Sequence, residues 1–207
     1  MPELGRDSLT PAKKAQINAT LRASRSHCAQ ETGTGSKRQM ITDLLILTIF
    51  PGAMAYAAAT DLFTMTLPNW LALVLVACFF VVATLAGLGW YAVTLHVALA
   101  FAALAVTFTF FSFGWIGGGD AKLFAATCLW LGPTAIFTYS VYVALIGCGL
   151  TLLLLLWRGL PLPMMLSSQS WLVRLHSPRE GVPYGIALAA AGLLVYPATP
   201  FVAALGG

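Results

Sequence analysis

Beyond residue 39 the chain alternates long apolar runs with short polar breaks. The runs cover residues 40–60, 70–88, 90–113, 121–131, 134–157 and 183–205. A helix needs about 20 apolar residues to cross the hydrocarbon core of a bilayer, and every run except the fourth meets or approaches that length. In lipid the backbone must satisfy its own hydrogen bonds, which leaves helices or closed barrels. The pattern therefore predicts an all-α fold, a polytopic membrane helical bundle of about six transmembrane helices. Trp70, Trp90, Trp115 and Trp157 stand near the proposed ends, where amphipathic rings sit at a membrane interface. The longest break, residues 158–182, contains the stretch SWLVRLH at residues 170–176, which fits either a short interfacial amphipathic segment or a solvated connector.

The first 39 residues differ. They are rich in Ser, Thr, Lys and Arg and lack the apolar stretch behind a basic end that a cleaved secretory signal requires. The division is thus a polar basic tail, residues 1–39, disordered or outside the native chain, and a transmembrane domain, residues 40–207.

Composition agrees with the pattern: 59% of residues are hydrophobic and 9% charged, against about a quarter charged in a soluble domain. The formal net charge of +4 would suggest an anionic partner, but its distribution removes that reading. Residues 1–39 carry seven basic and three acidic side chains, and the other 168 residues carry four of each. No nucleic-acid partner is expected. The four cysteines, Cys28, Cys78, Cys128 and Cys148, are scattered singly, without the paired spacing of a zinc or redox site. His96 has no Cys, Asp or Glu at metal-binding spacing and reads as a bundle histidine. No metal and no cofactor are expected.

Scarcity of charge directs attention to the acids, because an ionisable group at membrane depth is costly and is a functional hypothesis by default. Asp43 opens the first span and Glu180 sits in a polar loop beside Arg179; neither needs further explanation. Asp61 ends the first run and precedes Leu67-Pro68-Asn69, and Asp120 follows Gly117-Gly118-Gly119 after the third run. The chain crosses the membrane twice between them, so both acids lie on one face. Residues 117–131 make about 22 Å of helix, short of the roughly 30 Å core, which recesses Asp120 below the surface. A glycine-rich break at that depth is tolerated where it lines a cavity, and glycines allow a substrate backbone to approach. Helix ends act on the two acids in opposite senses, and two carboxyls in one pocket with different surroundings can share a proton. Lys122, two residues beyond Asp120, either steers a substrate carboxylate, pairs with Asp61, or snorkels to the interface.

Asp61 with Leu67-Pro68-Asn69, then Gly117-Gly118-Gly119-Asp120-Ala121-Lys122, resembles the type IV prepilin peptidase family, membrane aspartic proteases with a G-x-G-D motif. The resemblance covers residues 40–207 and includes Val182-Pro183-Tyr184-Gly185. It implies an aspartic endopeptidase of the bacterial inner (plasma) membrane that cleaves the short basic leader from prepilins at the cytoplasmic face. Asp61 and Asp120 would be the catalytic dyad activating water, with Gly117, Gly118, Gly119, Lys122, Pro68 and Asn69 on the substrate side. The partners it implies are a prepilin, whose apolar helix enters by a lateral opening, the lipid bilayer, and pilus and secretion machinery. Longer members carry a cysteine-rich zinc-binding insertion between the first two spans and methylate the new N-terminus. Here residues 61–69 leave no room for it, so the chain resembles the short Flp/Tad-type branch with peptidase activity alone. Thr64, Met65 and Thr66 stand where members often have arginines.

A cytoplasmic dyad puts the basic break 158–182 inside, as the positive-inside rule requires, but puts the seven-cation tail outside, which favours Met40 as the start. Two other classes fit the same residues: a small proton-coupled transporter using both aspartates near a discontinuous helix, and a non-catalytic pilus-assembly membrane subunit.

Overall fold

The computed structural model describes residues 39–160, 169–177 and 181–203. The polar tail up to residue 38, with Cys28, lies outside the described residues, as do Arg179 and Glu180. The chain divides between residues 41 and 42, and the packing described below is that of the part from Thr42 onward.

All regular structure among the described residues is helical. α1 spans Gln39–Thr64, α2 Asn69–Leu85, α3 Trp90–Ser112, α4 Gly118–Arg158, α5 Ser170–His176 and α6 Tyr184–Val195. A 3₁₀ turn, Tyr196–Ala198, and the short α7, Pro200–Ala203, follow. α1, α3 and α4 are each long and apolar enough to cross a membrane, and two further stretches, Asn69–Leu85 and Tyr184–Ala198, are shorter apolar helices. Trp70, Trp90 and Trp115 are exposed, as interfacial rings are.

α4 is not one straight rod. Gly132 leaves the helical region (φ 67°, ψ −172°) and Pro133 follows it. The rings of Phe124 and Tyr139 stack at 5.2 Å, although 15 residues of straight helix would separate them by about 22 Å. The chain therefore folds back at Gly132 as a helical hairpin, with a first limb 118–131 and a second limb 133–158. This is the break expected between the fourth and fifth apolar runs. α3, α6 and α2 all pack on α4, and nearly every residue from Ala121 to Gly132 is buried. The short fourth run is the central post of the bundle.

The fold-back strands a carbonyl. With Gly132 non-helical and Pro133 lacking an N–H, the Leu129 C=O loses its usual partner four residues on. His96 on α3 supplies the replacement: its Nδ1 lies 2.7 Å from the Leu129 oxygen. A carbonyl only accepts, so Nδ1 carries the proton and donates. The His96 ring stacks on Phe79 at 5.5 Å and meets Phe201 edge-on at 5.9 Å. It also fills the space beside Gly132, where a Cβ would strike the ring. His96 is thus a satisfied bundle histidine, as the sequence suggested, with a specific task at the hinge.

Two boundaries differ from the sequence expectation. α1 continues to Thr64, one turn past Asp61, and ends where Met65 takes a positive φ of 52° with its N–H on the Asp61 carbonyl at 2.9 Å. In the sixth apolar run the first α-helix ends at Val195. Pro197 and Pro200 break the regular hydrogen-bond ladder beyond it, giving the 3₁₀ turn and α7. α5 is packed rather than free. Leu175 is buried, Trp171 meets Phe63 of α1 edge-on at 5.5 Å, and His176 meets Trp157 at 5.0 Å. Arg158 pins this end, with Nε donating to the Leu175 carbonyl and Nη2 to the Gly181 carbonyl, both at 2.9 Å.

Candidate active site

The buried positions of α1 recur at helical spacing: Thr42, Ile46, Phe50, Met54, Ala57 and Asp61. The stripe is apolar through its central turns, and its last member is a carboxylic acid. Asp61 therefore points into the bundle because it continues the core face of α1, and it is only 4% exposed. Among the described residues its Oδ2 finds no hydrogen-bond partner. The backbone amides of Gly185 and Ile186, in the first turn of α6, face the carboxyl. A Cβ on Gly185 would stand 2.8 Å from Oδ2 and 3.0 Å from Cγ. Only glycine leaves room for that approach.

Asp120 occupies the third position of α4, where an acid complements the positive end of the helix. Its carboxyl reaches back toward the amide of Gly117, the residue that caps the helix. A Cβ on Gly117 would lie 2.9 Å from Asp120 Oδ2, so that glycine too makes space for a carboxyl. Asp120 is half-buried and within direct electrostatic range of Asp61. The two acids stand at one end of the bundle, as the count of crossings required.

The remaining residues singled out in the sequence brace this arrangement. Gly119 lies against Leu67, whose Cβ and carbonyl oxygen would be 2.9 and 3.2 Å from an added Cβ; Gly118 lies against the ring of Phe111. Pro68 caps α2 in extended conformation (φ −70°, ψ 133°). Lys122 is exposed, and its Nζ donates to Asn69 Oδ1 at 2.8 Å rather than pairing with Asp61. Asn69 opens α2 and Lys122 lies in the first turns of α4, so the bond ties together the two motifs that carry the acids.

The site is recessed. Tyr139 on the second limb of α4 donates to the Leu188 carbonyl of α6 at 3.4 Å, and the Tyr184 ring lies where a Cβ on Gly147 would be. These pairings run the two elements antiparallel and set Gly147 level with Gly185 and Asp61. From Gly147 the second limb continues 11 residues to Arg158, about 16 Å farther out. Leu152, Leu153, Leu155 and Leu156 on that stretch are 56–74% exposed, so the apolar surface extends well past the level of the acids. An apolar groove of about 400 Å³ opens between α2 and α3 with α4 as its floor, and Asn69 and Lys122 form its polar end.

Sequence reasoning assigned no role to Gly185 or Tyr184. The only signal was the stretch Val182-Pro183-Tyr184-Gly185, whose contacts with α1 and α4 connect residues far apart in the chain. Chemically, two neighbouring carboxyls, one with an oxygen that finds no partner among the described residues, can hold a small polar molecule and move a proton.

Residues 48–156, more than half of the chain, match a protein family described as the type IV leader peptidase family. No curated protein and no solved structure matches the chain.

Proposed function

The chain belongs to the type IV leader peptidase family, and we propose that it is an aspartic endopeptidase that removes the basic leader of a prepilin, with Asp61 and Asp120 as its catalytic pair. The single observation that carries this reading is the placement of two acids, 59 residues apart in the chain, within electrostatic range of each other at one end of the bundle. In the proposed reaction the pair carries one proton. The ionised carboxyl takes a proton from a bound water, whose oxygen attacks the scissile carbonyl carbon, and the protonated carboxyl donates to the carbonyl oxygen. Collapse of the tetrahedral intermediate breaks the C–N bond and returns a proton to the departing amine. Water is consumed, and the pair ends as it began.

The substrate's apolar helix enters from the lipid through the groove between α2 and α3, and its leader lies on the membrane face nearest Asp61 and Asp120. That face is cytoplasmic, in a multi-pass protein of the bacterial plasma membrane, and pilus or secretion machinery receives the product. The Lys122–Asn69 bond holds the α1–α2 turn against the helix bearing Asp120. The turn between α1 and α2, residues 65–68, has no room for a zinc-binding insertion, which supports peptidase activity without methyl transfer.

A second reading, a proton-coupled carrier, draws on the buried first limb of α4 with an acid at its N-terminus, the geometry of a discontinuous helix. Co-expression of a leader-bearing prepilin with wild type, Asp61→Asn or Asp120→Asn separates the two. The peptidase reading expects the shortened pilin with wild type alone. Cleavage persisting in both variants overturns the dyad, and no cleavage by wild type favours the carrier or a non-catalytic assembly subunit.

A further inference from the structure

The first turn of α6 has no side-chain cap, because the residue before it is Pro183. Its amides must find partners elsewhere. The Ile186 N–H reaches the Pro183 carbonyl at a long 3.3 Å, and the amides of Gly185 and Ile186 both face the Asp61 carboxyl. Asp61 in turn is almost wholly enclosed, and among the described residues its Oδ2 has no hydrogen-bond partner. An uncapped helix start and an under-satisfied buried carboxyl thus lie against each other.

Glycine makes the approach sterically feasible. An added Cβ at Gly185 would meet Asp61 Oδ2 at 2.8 Å, Asp61 Cγ at 3.0 Å and Leu67 Cδ1 at 3.0 Å. Two of these three neighbours belong to the acid itself. Gly147 performs the matching service on the other side, because it admits the Tyr184 ring and so lets the start of α6 settle against the second limb of α4. The α6 start is wedged between α4 and α1, with no slack on the Asp61 side.

We infer that the first turn of α6 is the seat that orients Asp61, and that Gly185 is a positioning residue for the pair. This inference rests on Asp61 being half of the catalytic pair. The seat gives Asp61 one orientation toward Asp120, whereas a side chain at residue 185 forces the carboxyl to rotate away. Misplacement of a reacting group by about 1 Å can cost about a hundredfold in rate.

The test is Gly185→Ala in the full-length protein, reconstituted in proteoliposomes with a prepilin substrate. The expected result is a kcat reduced by about a hundredfold, with KM within about twofold of wild type because the groove is untouched. Gly149→Ala, where an added Cβ meets nothing within 4 Å, keeps wild-type kcat. A second readout does not depend on cleavage: the rate at which a membrane-permeant carbodiimide modifies Asp61, measured by peptide mass. Gly185→Ala changes that rate at Asp61 and leaves the Asp120 rate within about twofold. If wild type does not cleave, the peptidase reading fails while the labelling still decides whether the seat exists. If Gly185→Ala does not accumulate, Leu67→Ala/Gly185→Ala removes the leucine obstacle and leaves only Asp61 in the way, and the same kcat loss and labelling change are expected. Wild-type kcat or unchanged labelling in Gly185→Ala overturns the inference. Restoration of both by Leu67→Ala does so as well, because it would make the leucine the contact that matters.

Discussion

Replacing His96 by Phe removes one hydrogen bond and little else. Phenylalanine retains a flat ring for the stack on Phe79 and the edge contact with Phe201, but it cannot donate to the Leu129 carbonyl, 2.7 Å from Nδ1. That carbonyl lies at the fold-back of α4 and lacks its usual donor four residues on, since Pro133 has no N–H. Leaving a buried acceptor unpaired costs about 1–3 kcal/mol. For a chain of this size 1 kcal/mol moves the unfolding midpoint by roughly 2–4 °C, so His96→Phe lowers Tm by about 5 °C. Thermal unfolding of the detergent-solubilised protein, followed by tryptophan fluorescence, reads the shift. Gly132→Ala is expected to be worse, because a positive φ costs a non-glycine residue roughly 1–2 kcal/mol and the new Cβ strikes the His96 ring. Combining Gly132→Ala with His96→Ala relieves the collision, and the pair destabilises less than the sum of the single variants. A His96→Phe protein as stable as wild type would refute the hinge-donor role.

Two further outcomes follow from the bonds that frame the recess. Lys122→Met keeps the aliphatic stem but loses the bond to Asn69; as the pair is exposed, Tm falls by no more than about 1 kcal/mol's worth, while cleavage in a prepilin co-expression assay slows severalfold. Arg158→Lys cannot span the Leu175 and Gly181 carbonyls with a planar fork, so limited proteolysis of vesicles nicks the 159–183 region faster than in wild type.

How much of this was legible in the sequence depends on the range of the contact. The runs 121–131 and 134–157 were read as separate, and counting crossings put Asp61 and Asp120 at the same end without any knowledge of packing. The inward face of α1 was harder to read. Around Asp61 the lipid-facing side is as apolar as the core side, so no amphipathic contrast marks which positions are buried. The same is true of the second limb of α4, where Leu152 and Leu153 are exposed and Leu154 is buried. His96 could be recognised as structural, but its partner is 33 residues away, and nothing local to it indicates a stranded carbonyl. Gly185 depends on a still longer-range approach to Asp61. Lys122 offered three readings, and its bond to Asn69 was none of them, because a chain alone does not reveal which helix starts lie side by side.

The most direct measurement is cleavage of a synthetic leader-bearing prepilin by purified wild-type, Asp61→Asn and Asp120→Asn proteins in proteoliposomes, with the product's new N-terminus read by mass spectrometry. A working Asp61–Asp120 pair gives one defined cut with wild type and, with either single variant, a rate lower by at least about a thousandfold, roughly 4 kcal/mol of transition-state stabilisation. Cleavage at near wild-type rate by either variant would contradict the dyad.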